Sequence, residues 1–179
     1  MSIRSLTLVV FIVLVALTII DTSYTTLIID GENKTEEFLV RNGDAIELSF
    51  VHSVELSRWI EVYKVHPNHL VLIKAKTKSF GWGLPFNGNF SFEDDWMVFG
   101  MNRKFRELKI STSNLNDYTL KIKGKVIKLD DFGDLITLRP EGGMMPWIYQ
   151  KLRKSMLQKP KMCMLGLCIA ESSILLMRA

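Results

Sequence analysis

The sequence predicts an all-β domain, an antiparallel β-sandwich or barrel of about nine short strands, with an N-terminal apolar helix and a short helical tail. Apolar and polar residues alternate in short runs between residues 25 and 140, and turn residues separate these runs at regular spacing. Helical periodicity is almost absent from that region. This pattern is typical of both sandwiches and barrels, so both remain open.

Residues 1–22 are predicted to be a membrane anchor or a signal peptide. One early cation, Arg4, precedes an unbroken apolar run from Leu6 to Ile20. The run is short for a membrane span, which favours a signal peptide, whereas no good small-x-small cleavage site follows it, which favours a retained anchor. We expect a retained anchor. The positive-inside tendency then predicts a single-pass protein of the cell membrane with its β domain on the extracytoplasmic side.

Two neighbouring runs in the middle of the chain are predicted to pair as a hairpin. Residues 46–52 alternate, with His52 on the same face as the apolar residues, and residues 59–65 alternate with Trp59 and Glu61 on one face. Residues 54–58, between the runs, suit a hairpin loop. Antiparallel pairing would bring His52 close to Trp59 or to Glu61.

The other strands are predicted in the same way, and glycine-containing turns delimit several of them. Asp30-Gly31 and Asn42-Gly43 are strong turn signals, and Gly124 is the predicted pivot of a second hairpin. A run at residues 69–80 is ended by Gly81-Trp82-Gly83-Leu84-Pro85, where two glycines beside a tryptophan imply a backbone bend. The further runs lie at residues 27–29, 37–40, 90–92, 96–101, 106–113, 118–129 and 135–138.

Charge and cysteine content exclude several classes of function. The net charge of +4 is mild and the β region contains no block of like charge, so we expect no nucleic-acid partner. Cys163 and Cys168 lie outside the predicted β domain, so a disulfide framework does not hold its core. A C-x4-C pair without a histidine or a second pair is a weak metal signal, and we expect no cofactor.

No set of residues in the chain has the spacing of a catalytic or metal site, so we expect a protein that is not an enzyme. His52 and Ser53 are neighbours on a strand and point to opposite faces, which prevents their acting as base and nucleophile. A carboxylate pair of Glu55 and Glu61 has no support beyond the presence of the two acids. A metal site would have to combine His52, Glu61, His66 and His69, and His66 falls on the opposite face of its strand from Glu61.

Two interpretations of the central residues stay open. In the first, His52 and Glu61 form a structural ion pair or hydrogen bond at the rim of the core. In the second, the hairpin and the glycine turn form a site for a small ligand, such as an anionic solute or a lipid, or for a partner, because a rigid indole at a surface is a common contact residue. The candidate site residues are His52, Ser53, Trp59, Glu61, Gly81, Trp82 and Gly83.

Three motifs follow one another in this region: His52-Ser53, then Glu61-Val62-Tyr63, then Ser79-Phe80-Gly81-Trp82-Gly83-Leu84-Pro85. Together they resemble the motifs of the domain-of-unknown-function family 1850. In that family an HS pair is followed by a glutamate-containing strand and by an (S/T)-(Y/F)-G-x-G-(L/M)-P turn. The resemblance covers about residues 25–140. Many members carry two adjacent glutamates where this chain has Ile60-Glu61, which puts in doubt any role that needs both carboxylates.

The resemblance implies a cellular context and no reaction. Members look like short membrane-anchored proteins linked with tripartite transporters of the TRAP type, particularly the TAXI subclass. The resemblance therefore implies a non-enzymatic accessory or interaction protein of a TRAP-type solute transporter, with transporter subunits as its partners.

After residue 140 the character of the chain changes, so we divide it into residues 1–22, 25–140 and 141–179. Glu141-Gly142-Gly143 is a predicted flexible joint, and residues 147–157 have the spacing of an amphipathic helix. That helix suits a membrane interface or packing across the end of the sheet. Residues 162–177 are apolar but short for a second span and carry Glu171, so we expect a poorly ordered or interface-lying tail.

Overall fold

The computed structural model describes residues 3–79, 90–113 and 115–157. Their core fold is an antiparallel β-sandwich, in which a four-stranded sheet packs on a seven-stranded sheet. The all-β prediction is confirmed. The described residues contain eleven strands rather than about nine, because short segments such as those on either side of Gly124 form separate strands.

The elements follow one another with short connections. In chain order they are α1 (Ile3–Thr22), β1 (Tyr24–Gly31), β2 (Thr35–Arg41), β3 (Ala45–Val51), β4 (Arg58–His66), β5 (His69–Thr77), β6 (Phe90–Glu93), β7 (Trp96–Phe105), β8 (Leu108–Ser111), β9 (Thr119–Ile122), β10 (Lys125–Lys128), a short 3₁₀ helix (Asp130–Phe132), β11 (Leu135–Gly142) and α2 (Met145–Leu157). The strand order is β2-β1-β11-β8 in the smaller sheet and β10-β9-β3-β4-β5-β7-β6 in the larger.

The core lies between the two sheets and is built from the apolar sides of the alternating strands. Burial of these side chains is the main favourable contribution to folding. The fully buried residues of the core come from both sheets and from the 3₁₀ helix. They include Leu27, Ile29, Ile46, Leu70, Leu120, Phe132 and Ile136. Two of the predicted turns place glycine in the left-handed region, with φ +88° at Gly43 and +81° at Gly124.

Helix α1 projects from the sandwich. The segment Arg4–Thr22 has 19 residues of high mean hydropathy, and none of its most apolar window is buried. By length and composition it is able to cross a membrane. A signal sequence near an N-terminus has the same length and composition.

The two ends of the sandwich differ. The α1 end is where α1 joins β1, and backbone hydrogen bonds from Asn42 to Ser23 and from Gly43 to Val65 bring the β2–β3 turn and the end of β4 to it. The far end carries the loop between β3 and β4. Because β3 runs from residue 45 to residue 51, the two ends are about 20 Å apart.

The segment after residue 140 continues the sheet before it forms a helix. Glu141 and Gly142 pair with Thr26 and Thr25 of β1, so the strand pairing occupies two positions of the predicted flexible joint. The reason is that β1 extends far enough to pair with them. The predicted amphipathic helix is observed as α2. The apolar tail at 162–177 and both cysteines lie outside the described residues.

Candidate functional site

The predicted hairpin of β3 and β4 is confirmed. The strands pair antiparallel with Phe50 opposite Trp59 and Leu48 opposite Glu61. The connecting residues, 52–57, form a compact turn that we call the hairpin loop. Its ends are held by hydrogen bonds from the His52 N–H to the Ser57 carbonyl (2.9 Å) and from the Leu56 N–H to the His52 carbonyl (2.8 Å).

The register of this hairpin decides which residue His52 contacts. The rings of His52 and Trp59 stack with their centroids 5.4 Å apart. Glu61 lies two residues further along β4, and its Oε2 accepts a hydrogen bond of 2.5 Å from the Tyr63 hydroxyl. Of the two contacts left open for His52, the one with Trp59 is therefore observed, and Glu61 is bonded to Tyr63 instead.

A row of aromatic rings connects the hairpin loop to the interior. Beyond the His52–Trp59 stack, the Phe50 ring lies 6.4 Å from Trp59 and 5.0 Å from Tyr118, centroid to centroid. Offset and tilted ring pairs at these distances are favourable. We call these four side chains the aromatic row. It gives the site a rigid apolar wall.

A cleft of about 310 Å³ opens between the two sheets beside the aromatic row. It lies where β8, the edge strand of the smaller sheet, faces β3 and β4, and it is lined by Leu48, Phe50, Glu61, Tyr63, Leu108, Lys109, Ile110, Ser111 and Tyr118. Burial raises the pKa of the Glu61 carboxyl, while the Tyr63 hydrogen bond and the Arg103 charge oppose that rise. Burial and the Glu61 charge raise the pKa of Tyr63. The cleft therefore contains a carboxyl group that holds its proton more tightly than usual.

The hairpin loop and the start of β4 contain buried polar atoms without hydrogen-bond partners. These atoms are His52 Nδ1, both carboxylate oxygens of Glu55, Ser57 Oγ and Trp59 Nε1. We call these four residues the rim site. Most buried polar side-chain atoms in proteins have a partner in the protein or in ordered water. Four neighbouring residues with unmet donors and acceptors therefore form a candidate site for ordered water or for another molecule.

The rim site only partly matches the candidate residues chosen from the sequence. His52 and Trp59 belong to it, whereas Ser53 is an exposed residue of the hairpin loop. From the sequence, Glu55 is a candidate only as part of a carboxylate pair with Glu61, and Ser57 is not a candidate. Their one signal is their position in the loop before Trp59. Gly81, Trp82 and Gly83 lie outside the described residues.

The histidines of the considered metal set do not converge. His66 and His69 stack on each other, with centroids 4.7 Å apart, at the β4–β5 turn. That turn is at the α1 end, whereas His52 is at the far end of the sandwich. In the part of the chain that the structure describes, no three His, Cys, Asp or Glu side chains lie close enough together to hold a metal ion.

Glu61→Gln is expected to flatten the pH dependence of stability. Burial raises the pKa of Glu61 in the folded domain, so its contribution is full below the unfolded-state pKa and is lost as the pH rises through the folded-state pKa. The free energy of unfolding of the wild type, relative to the variant, should therefore fall as the pH rises from about 4, near the unfolded-state pKa, towards neutral pH. Urea denaturation across this range measures it. Glu141→Gln is the control. If the difference in free energy of unfolding between the wild type and Glu61→Gln stays constant with pH, this expectation is contradicted.

The fold and the hairpin define a β-sandwich domain with a polar rim site and an adjoining cleft. Residues 46–129 match the family model described as domain of unknown function (DUF1850). The resemblance inferred from the motifs is confirmed over these residues. The matched segment contains β3, the hairpin loop and β4. No curated protein and no solved structure matched the chain.

Proposed function

We propose that this chain is a membrane-tethered, non-enzymatic module that binds a small organic cation at the rim site. One observation carries the proposal: the Glu55 carboxylate is buried and neither of its oxygens has a hydrogen-bond partner. A buried carboxylate without a partner is costly unless a proton or a cation compensates it. A protonated amine supplies both the charge and the N–H donors.

The surroundings of Glu55 fit the rest of such a ligand. The stacked rings of His52 and Trp59 offer an aromatic face, which attracts organic cations. The unpartnered Trp59 N–H and Ser57 hydroxyl are able to donate to an oxygen on the same molecule. The anionic solute considered from the sequence would place a second negative charge against Glu55, so the site favours the cation.

Three probes of the same ring size and different charge test this proposal: benzylamine, benzyl alcohol and benzoate. Thermal unfolding of the full chain in nanodiscs is the measurement. Benzylamine is expected to raise the unfolding midpoint most, with a stabilisation of about 2.7 kcal/mol at a concentration about 100-fold above its dissociation constant. Benzoate is expected to have the smallest effect.

Matched variants assign the effect to the rim site. Glu55→Gln keeps the shape of the side chain and removes its charge, so it should abolish the preference for benzylamine. Glu141→Gln removes a carboxylate at the α1 end, where it pairs with Arg139, and should leave the preference intact. The proposal fails if benzylamine gives no shift or if its shift persists in Glu55→Gln.

A second candidate function is the accessory role beside a TRAP-type transporter that the family resemblance implies. The observation that favours it is an apolar patch at the far end. Val54, Leu56 and Leu115 are 70%, 79% and 87% exposed. Val54 and Leu56 lie in the hairpin loop, and Leu115 lies in the loop between β8 and β9. The Arg58–Asp117 ion pair (2.7 Å) and a hydrogen bond from Asn116 Nδ2 to the Val51 carbonyl (2.8 Å) hold these two loops together. Exposed apolar residues that cluster in this way are typical of protein contacts.

Co-purification from membranes solubilised in mild detergent tests the accessory role. The variant Val54→Thr, Leu56→Asn removes apolar surface, and asparagine tolerates the φ of +50° at position 56. A transporter subunit should be recovered with the wild type and lost with this variant. The pair His52→Ala, Glu61→Ala, which leaves the patch in place, should retain it. Equal recovery with all three proteins, or with none, would contradict the accessory role.

A further inference from the structure

The end of α1 is built into the sandwich. Asn42 Nδ2 donates to the Thr22 carbonyl (2.7 Å), and the Asn42 N–H donates to the Ser23 carbonyl (3.1 Å). The Asn42 side chain also accepts a hydrogen bond from the Thr25 hydroxyl. These bonds satisfy carbonyls that the end of a helix leaves without partners. No flexible linker therefore separates α1 from the domain.

The same end of α1 holds the beginning of α2. Asp21 Oδ1 accepts a hydrogen bond of 2.7 Å from the Met144 N–H, and Ile148 N–H donates to the Met144 carbonyl (3.0 Å) in the first turn of α2. A carboxylate at a helix N-terminus also interacts favourably with the helix dipole. The start of α2 is thus fixed at the level of the last turn of α1.

An apolar groove of about 500 Å³ lies between the two helices. Leu14 and Leu17 line it from α1, and Met145 and Ile148 line it from α2. At a rise of 1.5 Å per residue, Leu14 and Leu17 lie about 12 and about 8 Å along α1 from Thr22. The α1 span of 19 residues is about 28 Å long, close to the thickness of a bilayer core. If α1 crosses the bilayer, the groove lies at the depth of the outer acyl chains.

We propose that α2 binds the surface of the bilayer that α1 crosses, with a preference for anionic phospholipids. Met145 and Tyr149 are exposed, and the Lys151 ammonium lies 4.7 Å from the Trp147 ring centroid. Residues 143–170 contain five cations, counted as lysine and arginine, and no acid, which complements anionic headgroups. The interface therefore buries the apolar groove, and the Lys151 ammonium lies at headgroup level.

Quenching of tryptophan fluorescence by brominated phosphatidylcholine tests this proposal on the full chain in nanodiscs. The contribution of Trp147 is the difference between the wild type and Trp147→Phe. It should fall by about half when the lipid is brominated near the interface, because aromatic residues of interfacial helices lie at that depth. The contribution of Trp96, obtained from Trp96→Phe, should not change, because Trp96 lies at the far end.

Lipid charge provides the second readout. Addition of phosphatidylglycerol should increase the quenching of Trp147, and Lys151→Glu, Arg153→Glu, Lys154→Glu should reverse that increase without extracting the protein from the bilayer. Equal quenching of Trp147 and Trp96, or no effect of lipid charge, would overturn the proposal. It rests on the membrane tether of the proposed function, so release of the wild type by a carbonate wash would overturn both the tether and the role of α2. Cation binding at the rim site is independent of either result.

Discussion

Gly31→Ala is expected to destabilise the domain by about 3 kcal/mol, at the upper end of the cost of overpacking a core. A Cβ at this position would lie 2.6 Å from the Cβ of Phe132 and in collision with the backbone carbonyl oxygen of that residue. Phe132 is fully buried, and its carbonyl accepts a hydrogen bond from the Asn33 N–H. The 3₁₀ helix must therefore move, and a core side chain moves with it.

Gly43→Ala is the matched control for this prediction. Gly43 has φ +88°, and no atom lies within 4 Å of the place that a Cβ would occupy there. Alanine at this position therefore costs only the strain of the left-handed backbone, about 1–2 kcal/mol. Urea denaturation of both variants measures the difference. Equal losses of stability would mean that the contact between Gly31 and Phe132 does not limit this position.

Trp59→Ala is expected to cost about 3–5 kcal/mol, whereas Trp59→Phe should cost much less. The indole is buried and stacks on both His52 and Phe50, so alanine leaves a cavity in the aromatic row. Phenylalanine keeps an aromatic ring there and loses the five-membered ring of the indole, including an N–H that has no partner in the protein. Loss of an unpartnered donor carries little cost in stability. Phenylalanine should nevertheless weaken cation binding, because the donor and the larger aromatic face are both lost.

Trp96→Ala controls for the removal of an indole as such. Trp96 is only half-buried, and the Lys78 ammonium lies 5.1 Å from its ring centroid. Its loss should cost less stability than that of Trp59 and should leave benzylamine binding unchanged. The role assigned to the aromatic row would be wrong if Trp59→Phe were as unstable as Trp59→Ala, or if Trp96→Ala weakened binding equally.

The strands and the hairpin were predictable because burial imposes a period of two on each strand. The burial of Ile46, Leu48, Trp59 and Tyr63 confirms the predicted inner faces of β3 and β4. The register was not predictable, because a loop of five or six residues permits more than one pairing. That single uncertainty left open whether His52 contacts Trp59 or Glu61. The hydrogen bonds of the hairpin loop settle it in favour of Trp59.

The site was predictable only in part, because unmet hydrogen bonds are a property of three-dimensional packing. The sequence identifies His52 and Trp59 through their strand positions. It does not reveal that the Glu55 carboxylate and the Ser57 hydroxyl are buried without partners, since loop residues of these types are usually solvated. The hydrogen bond between Tyr63 and Glu61 could have been predicted from the sequence, because residues i and i+2 lie on the same face of a strand.

Fluorine NMR of the full chain labelled with fluorotryptophan, with benzylamine titrated in, tests the central claim most directly. The chain has four tryptophans, and Trp59→Phe assigns the resonance of Trp59. Binding at the rim site predicts a saturable shift of that resonance and none of the Trp96 resonance, with the shift absent in Glu55→Gln. A Trp59 resonance that does not respond to benzylamine, or that responds equally in Glu55→Gln, would contradict the claim.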